Sequence, residues 1–292
     1  MVAEGGISLA GANNPAIVSY DDILLALKQE AEKRPDLADA IRLYCALLEA
    51  EARAEGTPPA AALSAREAGD RLGEGRSLLS PEALQVDAAR LAELCAEIGF
   101  TIAQHRRELV RPLAKIHAWL YERRQRIGAL AVEYLREGRI REGEEAGLHA
   151  GLLSLIFREA LRPFLRAQAQ ALGPQVEDSH WYRGFCPICG GEPDFAALQA
   201  GNGQRRLLCS RCDSEWTFRR AACAFCENED PRQLAYYPSE DQVYRLSVCE
   251  RCRRYLKTID LREVAGERVL PAERILTLAM DLAAQNAGYR GG

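Results

Sequence analysis

Apolar residues return every three or four positions through most of the first 172 residues, and each such run predicts an amphipathic helix. Ile23, Leu24, Leu27 and Ala31 form one stripe that stops before Pro35, and Leu37, Ile41, Tyr44, Cys45 and Leu48 form the next. Ser19, three residues before Asp22, reads as a short capping box, with Asp21 and Asp22 against the positive helix end. Gly56, Pro58, Pro59, Gly69, Gly73 and Gly75 mark a long connection over 56–80 with room for one short helix near 63–72. Ser80-Pro81 reads as the start of a further long helix, serine as cap and proline in the first turn. Its stripe runs through Leu84, Leu91, Leu94, Cys95, Ile98, Ile102, Leu109, Leu113, Ile116 and Leu120, with a kink expected at Pro112. Positions 127–135 and 148–172 supply two more helical runs, closed by Gly173-Pro174. Cys45 and Cys95 lie on these stripes and read as small buried hydrophobes.

After Gly173-Pro174 the period changes. Short β-prone runs appear, Glu215-Trp216-Thr217-Phe218 and Tyr255-Leu256-Lys257-Thr258-Ile259, each following a pair of cysteines. Leu207-Leu208-Cys209-Ser210-Arg211-Cys212 is echoed by Ser247-Val248-Cys249-Glu250-Arg251-Cys252, so the segment reads as an internal repeat. A last helix opens at Pro271 and presents Leu276, Ala279, Met280 and Ala283 on one face. The fold class expected is mainly α with a small β part. It comprises a flexible arm over 1–18, a bundle-like α-helical domain over 19–175, two tandem rubredoxin-like or zinc-ribbon four-cysteine modules over 180–222 and 223–268, and a terminal helix over 271–288. His180-Trp181-Tyr182 is expected to pack the ribbons on the helices, with a partner contact as the alternative.

The candidate chemistry lies in the cysteines. Eight of the ten fall into four pairs, Cys186/Cys189, Cys209/Cys212, Cys223/Cys226 and Cys249/Cys252, with gaps of 19, 10 and 22 residues between pairs. Two cysteines separated by two residues can place both sulfurs on one ion at about 2.3 Å, and two such turns complete a tetrahedron. The short middle gap keeps each tetrahedron local, so the first four and the last four cysteines are expected to hold one ion each. A cross-braced arrangement, pairing the first turn with the third, is the alternative. Gly190-Gly191 after Cys189 suits a turn that needs positive φ, and Asn228 is the tolerant residue near Cys226. Four disulfides do not suit a chain with long cysteine-poor helices, and a thioredoxin-type enzyme needs one such pair rather than four. An iron–sulfur cluster would also use four thiolates per centre, but the regular paired spacing favours a single ion in each.

Charge narrows the function classes. The net charge of −4 and pI near 5.8 argue against a general nucleic-acid binder. Residues 186–270 hold 13 Lys+Arg against 13 Asp+Glu, and two divalent ions with four thiolates each would add about −4. Arg245, Arg251, Arg253, Arg254 and Lys257 form a local basic cluster against this trend. The first residues lack a basic region followed by an apolar core, and no apolar stretch is long enough to span a membrane. A cytoplasmic chain with reduced thiols is expected. There is no glycine-rich phosphate loop, nucleophile elbow or His-Glu-x-x-His run, His105, His117 and His149 stand without ligand partners, and closed four-thiolate sites leave no open coordination position. The chain does not read as an enzyme.

Cys186-Pro187-x-Cys189-Gly190, Cys209-x-x-Cys212-x-x-Glu215-Trp216, Cys223-x-x-Cys226 and Cys249-x-x-Cys252-x-x-Tyr255-Leu256-Lys257, set behind a long helical region, resemble the FdhE-like family of formate dehydrogenase accessory (formation) proteins. The resemblance implies a cytoplasmic assembly factor that engages the catalytic subunit of a formate dehydrogenase, with iron in rubredoxin-like sites. The thiolates themselves suit iron or zinc about equally. A zinc-ribbon adaptor for nucleic acid or the transcription machinery, and a rubredoxin-like electron carrier, are the competing classes. Trp216 and Tyr255 are candidate anchors for the partner, with packing beside the metal turns as the other reading.

Overall fold

In the computed structural model, residues 17–54, 63–176 and 181–291 are described. The predicted arm over 1–18 and His180 lie almost wholly or wholly outside them. Helices α1 (Tyr20–Lys33), α2 (Ala38–Ala54), α3 (Ala65–Gly73), α4 (Ala88–His105), α5 (Val110–Glu122), α6 (Ile127–Glu137), α7 (Arg141–Glu145) and α8 (Ala150–Leu172) precede a six-stranded sheet. Its strands are β1 (Pro193–Leu198), β2 (Arg205–Cys209), β3 (Glu215–Phe218), β4 (Leu234–Pro238), β5 (Tyr244–Cys249) and β6 (Arg254–Asp260). Helices α9 (Leu270–Leu276) and α10 (Leu278–Asn286) follow. The mainly helical fold class with a small β part is as the sequence implied.

The helix starts obey local chemistry. Ser19 accepts the Asp22 amide at the head of α1, as expected. Ser64 and Glu67 form a full capping box on α3, an S-x-x-E signal that lies in plain view within the connection. Ser80-Pro81 opens only a 3₁₀ turn, Pro81–Ala83, and the true cap of α4 is Asp87, whose carboxylate accepts from Ala89 and Arg90. The expected kink at Pro112 is instead a helix start. The chain breaks at Arg106, and Pro112 occupies the first turn of α5, where its missing N–H costs nothing. The terminal helix is likewise two, divided at Thr277.

Helix α8 is the axis of the molecule: Phe157, Ala160 and Leu161 are fully buried, and residues on every side of it are covered. Its apolar side joins Leu91, Leu94, Ile98, Ile116 and Ile127 in a core that continues, without a break, into Ile188, Leu207, Trp216 and Leu256 of the cysteine-rich half. The helices and the first ribbon thus share one core.

The sheet order is β3-β2-β1-β6-β5-β4. Each cysteine unit contributes three strands in the same relative order, and the two are joined where β1 pairs parallel to β6, Phe195 opposite Lys257 and Leu198 opposite Asp260. The predicted repeat is therefore present, and its two copies form a single sheet. Both faces are covered. Ala196, Leu207 and Trp216 face the helical core, while Phe195, Ala197, Leu208 and Ile259 lie on the opposite side with Leu270 of α9.

Candidate metal centres

The four turns that carry the cysteines share one backbone device. The residue after the second cysteine is left-handed each time: Gly190 (φ 72°), Asp213 (57°), Glu227 (55°) and Arg253 (56°). Asn228, the residue singled out near Cys226, does not take that role; Glu227 does. Three of the four positions carry a Cβ, a conformation that costs about 1–2 kcal/mol for an L-residue and needs surrounding structure to hold it. The reversal aims amides at sulfur. Ile188, Arg211 and Phe225 each direct N–H at the first cysteine of their turn at 3.4 Å. Gly190, Glu227 and Arg253 close the turns onto the carbonyls of Cys186, Cys223 and Cys249 at 2.8–3.0 Å.

These turns bring Cys186, Cys189, Cys209 and Cys212 into one group and Cys223, Cys226, Cys249 and Cys252 into another, with all sulfurs of a group within 4.8 Å of one another. The grouping is the sequence-local one. Sulfur pairs lie 3.7 Å (Cys186/Cys212), 3.4 Å (Cys189/Cys209), 3.6 Å (Cys223/Cys252) and 3.7 Å (Cys226/Cys249) apart. A tetrahedron with metal–sulfur bonds of about 2.3 Å has edges of about 3.8 Å, whereas a disulfide is about 2.05 Å. All ten cysteines are free thiols. The donor set therefore fits two ions. A Cβ at Gly191 would come within 2.9 Å of the Cys209 sulfur, so glycine there keeps the space that a bound thiolate requires. Burial, reinforced by the neighbouring thiols, pushes Cys186 well above the ordinary thiol range, so a cation has to supply the stabilisation its thiolate lacks. Cys249 is shifted the other way: burial opposes, but the amides of Cys252 and Arg251 outweigh it. Cys45 and Cys95 are buried hydrophobes as expected, and burial pushes the Cys95 thiol up to about 12.

The two groups have different surroundings. The first is sealed. Cys186, Cys209 and Cys212 have no exposed surface and Cys189 retains 7%. Its first turn is strapped by the chain between α3 and α4: Leu78 and Leu79 donate to Pro187 and Ile188 carbonyls at 2.8 Å, and Ser77 Oγ donates to the Cys186 carbonyl at 3.0 Å. Its second turn is nailed by Asp213. That carboxylate accepts from Arg162 at 3.1 Å, from Arg166, and from Arg274 at 2.8 Å, so α8 and α9 both grip the residue beside Cys212. Burial works against the Asp213 charge, but the three guanidinium groups, Arg274 foremost, hold its carboxyl below the usual range. In the second group Cys226 and Cys252 are partly exposed. Arg205 of β2 reaches across to it, donating to the Ala222 carbonyl at 2.9 Å, and burial lowers its guanidinium to about 10 against the pull of the Cys223 thiol.

The ionic cluster on α8 escaped sequence reading. Arg158, Arg162 and Arg166 recur at four-residue spacing within an otherwise apolar helix, beside Glu159, and that spacing is the signal. Arg162 also meets Glu51 at 3.5 Å. Burial lifts Glu51 well above the usual carboxyl range, whereas in Glu159 burial is outweighed by the Arg162 and Arg158 charges, which lower it.

Of the two readings of Trp216 and Tyr255, surface anchor or packing beside the metal turns, the structure takes the second. Trp216 is fully buried with its indole N–H on the Arg183 carbonyl at 2.9 Å, and Tyr255 is 4% exposed with its hydroxyl on Asp281 at 2.8 Å. Their aromatic area is used inside the fold. Four of the five members of the basic cluster are paired with acids, while Arg251 is exposed. Arg245 pairs with Asp260, Arg253 with Glu250, Arg254 with Glu192 and Lys257, itself buried, with Asp281. No helix among the described residues is long and apolar enough to cross a membrane.

Fold and site together define a helical protein with two tandem zinc-ribbon-like modules, each able to hold a metal ion. Residues 185–220, which span the first module, match the family model described as FdhE, central domain. The chain is 31% identical over 149 residues to the Protein FdhE homolog of Aquifex aeolicus (50% of this chain, 52% of that one). It is 33% identical over 189 residues to the Protein FdhE homolog of Pseudomonas aeruginosa (56% and 58%). A solved structure, the crystal structure of the FdhE protein from Pseudomonas aeruginosa, has the same fold, with a TM-score of 0.61 at 24% identity and 95% of each chain covered. The chain spans about half the length of the curated relatives it matches. Within the matched residues the chain resembles FdhE, as the cysteine and aromatic motifs implied.

Proposed function

We propose that this protein is a metal-binding accessory factor required for the formation of active formate dehydrogenase, acting in the cytoplasm on the catalytic subunit and turning over no substrate itself. The observation that carries the reading is the FdhE central domain match over the first four-cysteine turn pair. The eight cysteines Cys186, Cys189, Cys209, Cys212, Cys223, Cys226, Cys249 and Cys252 are the metal ligands in this reading, each group holding one ion, iron by family resemblance or zinc by donor chemistry. Closed four-thiolate sites suit a structural or partner-facing role better than hydrolytic chemistry. The neutralised arginines of β5 and β6 weigh against the nucleic-acid adaptor.

The test is a deletion strain complemented with the wild-type chain or with Cys212→Ser and Cys252→Ser variants, read by formate dehydrogenase activity and by co-purification of its catalytic subunit. Restoration by the wild type alone, with association retained at low salt under reducing conditions, is the expected result. Full enzyme activity in the uncomplemented strain would overturn the proposal.

A further inference from the structure

We infer that the two four-cysteine groups differ in kind: the first is a permanent structural centre, and the second, through Cys226 and Cys252, is the one that exchanges its ion with outside ligands. This rests on the metal-binding reading and goes beyond it by assigning the groups different roles. Ion exchange at a closed site requires an incoming donor to reach the metal while one thiolate leaves. The incoming ligand forms a metal bond, a cysteine sulfur gives one up and takes a proton from water, and no oxidation state changes.

Among the described residues the first group offers no route for such an approach. Cys186, Cys209 and Cys212 have no exposed surface, and Ile188 and Trp216 beside them are equally enclosed. Admitting a ligand would mean detaching the 77–79 strap or withdrawing Asp213 from three arginines. The second group is open at one edge. Cys226 and Cys252 are the second cysteine of each of its turns, both partly exposed, while Cys223 and Cys249 remain enclosed. The turn after Cys252 is held from outside by the 287–291 segment. Arg290 N–H donates to the Arg253 carbonyl at 2.9 Å, Tyr255 N–H to the Arg290 carbonyl at 3.0 Å, and the Arg253 guanidinium lies 4.2 Å over the Tyr289 ring. That clasp combines backbone hydrogen bonds and the stacked pair with the buried Tyr289 ring, which packs with Tyr255, Leu246, Val248 and Ala284, so it is the exposed edge at Cys226 and Cys252, not an opening of the clasp, that admits an incoming ligand. An exchangeable centre beside a fixed one gives the protein a single face through which metal state is visible to a ligand or partner.

The experiment uses the full chain loaded with zinc and an excess of the chromophoric chelator 4-(2-pyridylazo)resorcinol, with iodoacetamide labelling of the released thiols read by mass spectrometry. Two phases of one ion each are expected, the faster by roughly tenfold or more, with Cys226 and Cys252 alkylated first. Cys252→Ser is expected to leave only the slow ion, and the labelling order in the wild type decides the matter if that variant fails to fold. Uniform release of both ions, or first labelling at Cys189 or Cys212, would overturn this inference alone. A chain that takes up no zinc or iron would overturn the metal reading and this inference with it.

Discussion

Replacing Asp213 by Asn tests the link between the first metal turn and the helices. The substitution keeps size and tolerates the left-handed backbone at φ 57°, but it removes the one carboxylate shared by Arg162, Arg166 and Arg274. Two of those guanidinium groups are themselves buried. Breaking a buried ion pair by deleting one partner costs about 3–5 kcal/mol, because the remaining charge is left in low dielectric. For a chain of this size each kcal/mol moves the midpoint by about 2–4 °C, so a fall of roughly 6–20 °C in Tm is expected by calorimetry on the metal-loaded protein. The pH dependence has a definite sign. The Asp213 carboxyl is held below its unfolded value, which is about 3.9. Its contribution is therefore fully present above that value and lost as pH falls through the depressed folded one. The gap between wild type and Asp213→Asn is expected to be constant from neutrality down to about pH 5 and to narrow below about pH 4. A double-mutant cycle with Arg274→Met isolates the pair. A Tm change under about 2 °C, or a gap that widens as the solution is acidified, would refute the account.

Three further outcomes are expected. Gly184→Ala would set a Cβ 1.8 Å from the Ala224 backbone carbonyl, so it is expected to push the second unit away from the first and weaken metal retention at Cys223 and Cys226, seen as altered zinc stoichiometry. Glu51→Gln is expected to be neutral or stabilising at pH 7: the folded carboxyl is raised, so the native Glu51 costs stability as pH rises above its unfolded value of about 4.3, whereas Glu159→Gln is expected to destabilise; denaturant titrations at pH 5 and 8 distinguish the two. Removal of both ions by chelation is expected to unfold the ribbons, given about 10–16 kcal/mol of binding free energy for structural zinc in finger peptides, and to lower the helical transition too, because Ile188 and Trp216 belong to the helical core; circular dichroism at 222 nm checks this.

The sequence alone determined the helical half, because a 3.6-residue apolar period and Ser19 with its following aspartates are local signals, and it determined the two cysteine groups, because Cys-x-x-Cys turns fix their sulfurs within a few residues. Local signals also misled where two were compatible with the same residues. Ser80-Pro81 has the composition of a helix start, but Asp87 caps α4, and Pro112 fits a kink as well as a first turn. Only the tertiary structure decided that the two ribbons form one sheet, since parallel pairing of β1 with β6 joins residues some sixty positions apart and leaves no period in the sequence. It alone placed Asp213 among Arg162, Arg166 and Arg274, and it alone buried Trp216 and Tyr255. Burial and charge pairing depend on which distant elements meet, and the unequal exposure of the two chemically identical cysteine groups follows from what packs over them: the 77–79 strap and α8 over the first, and one edge left open at the second.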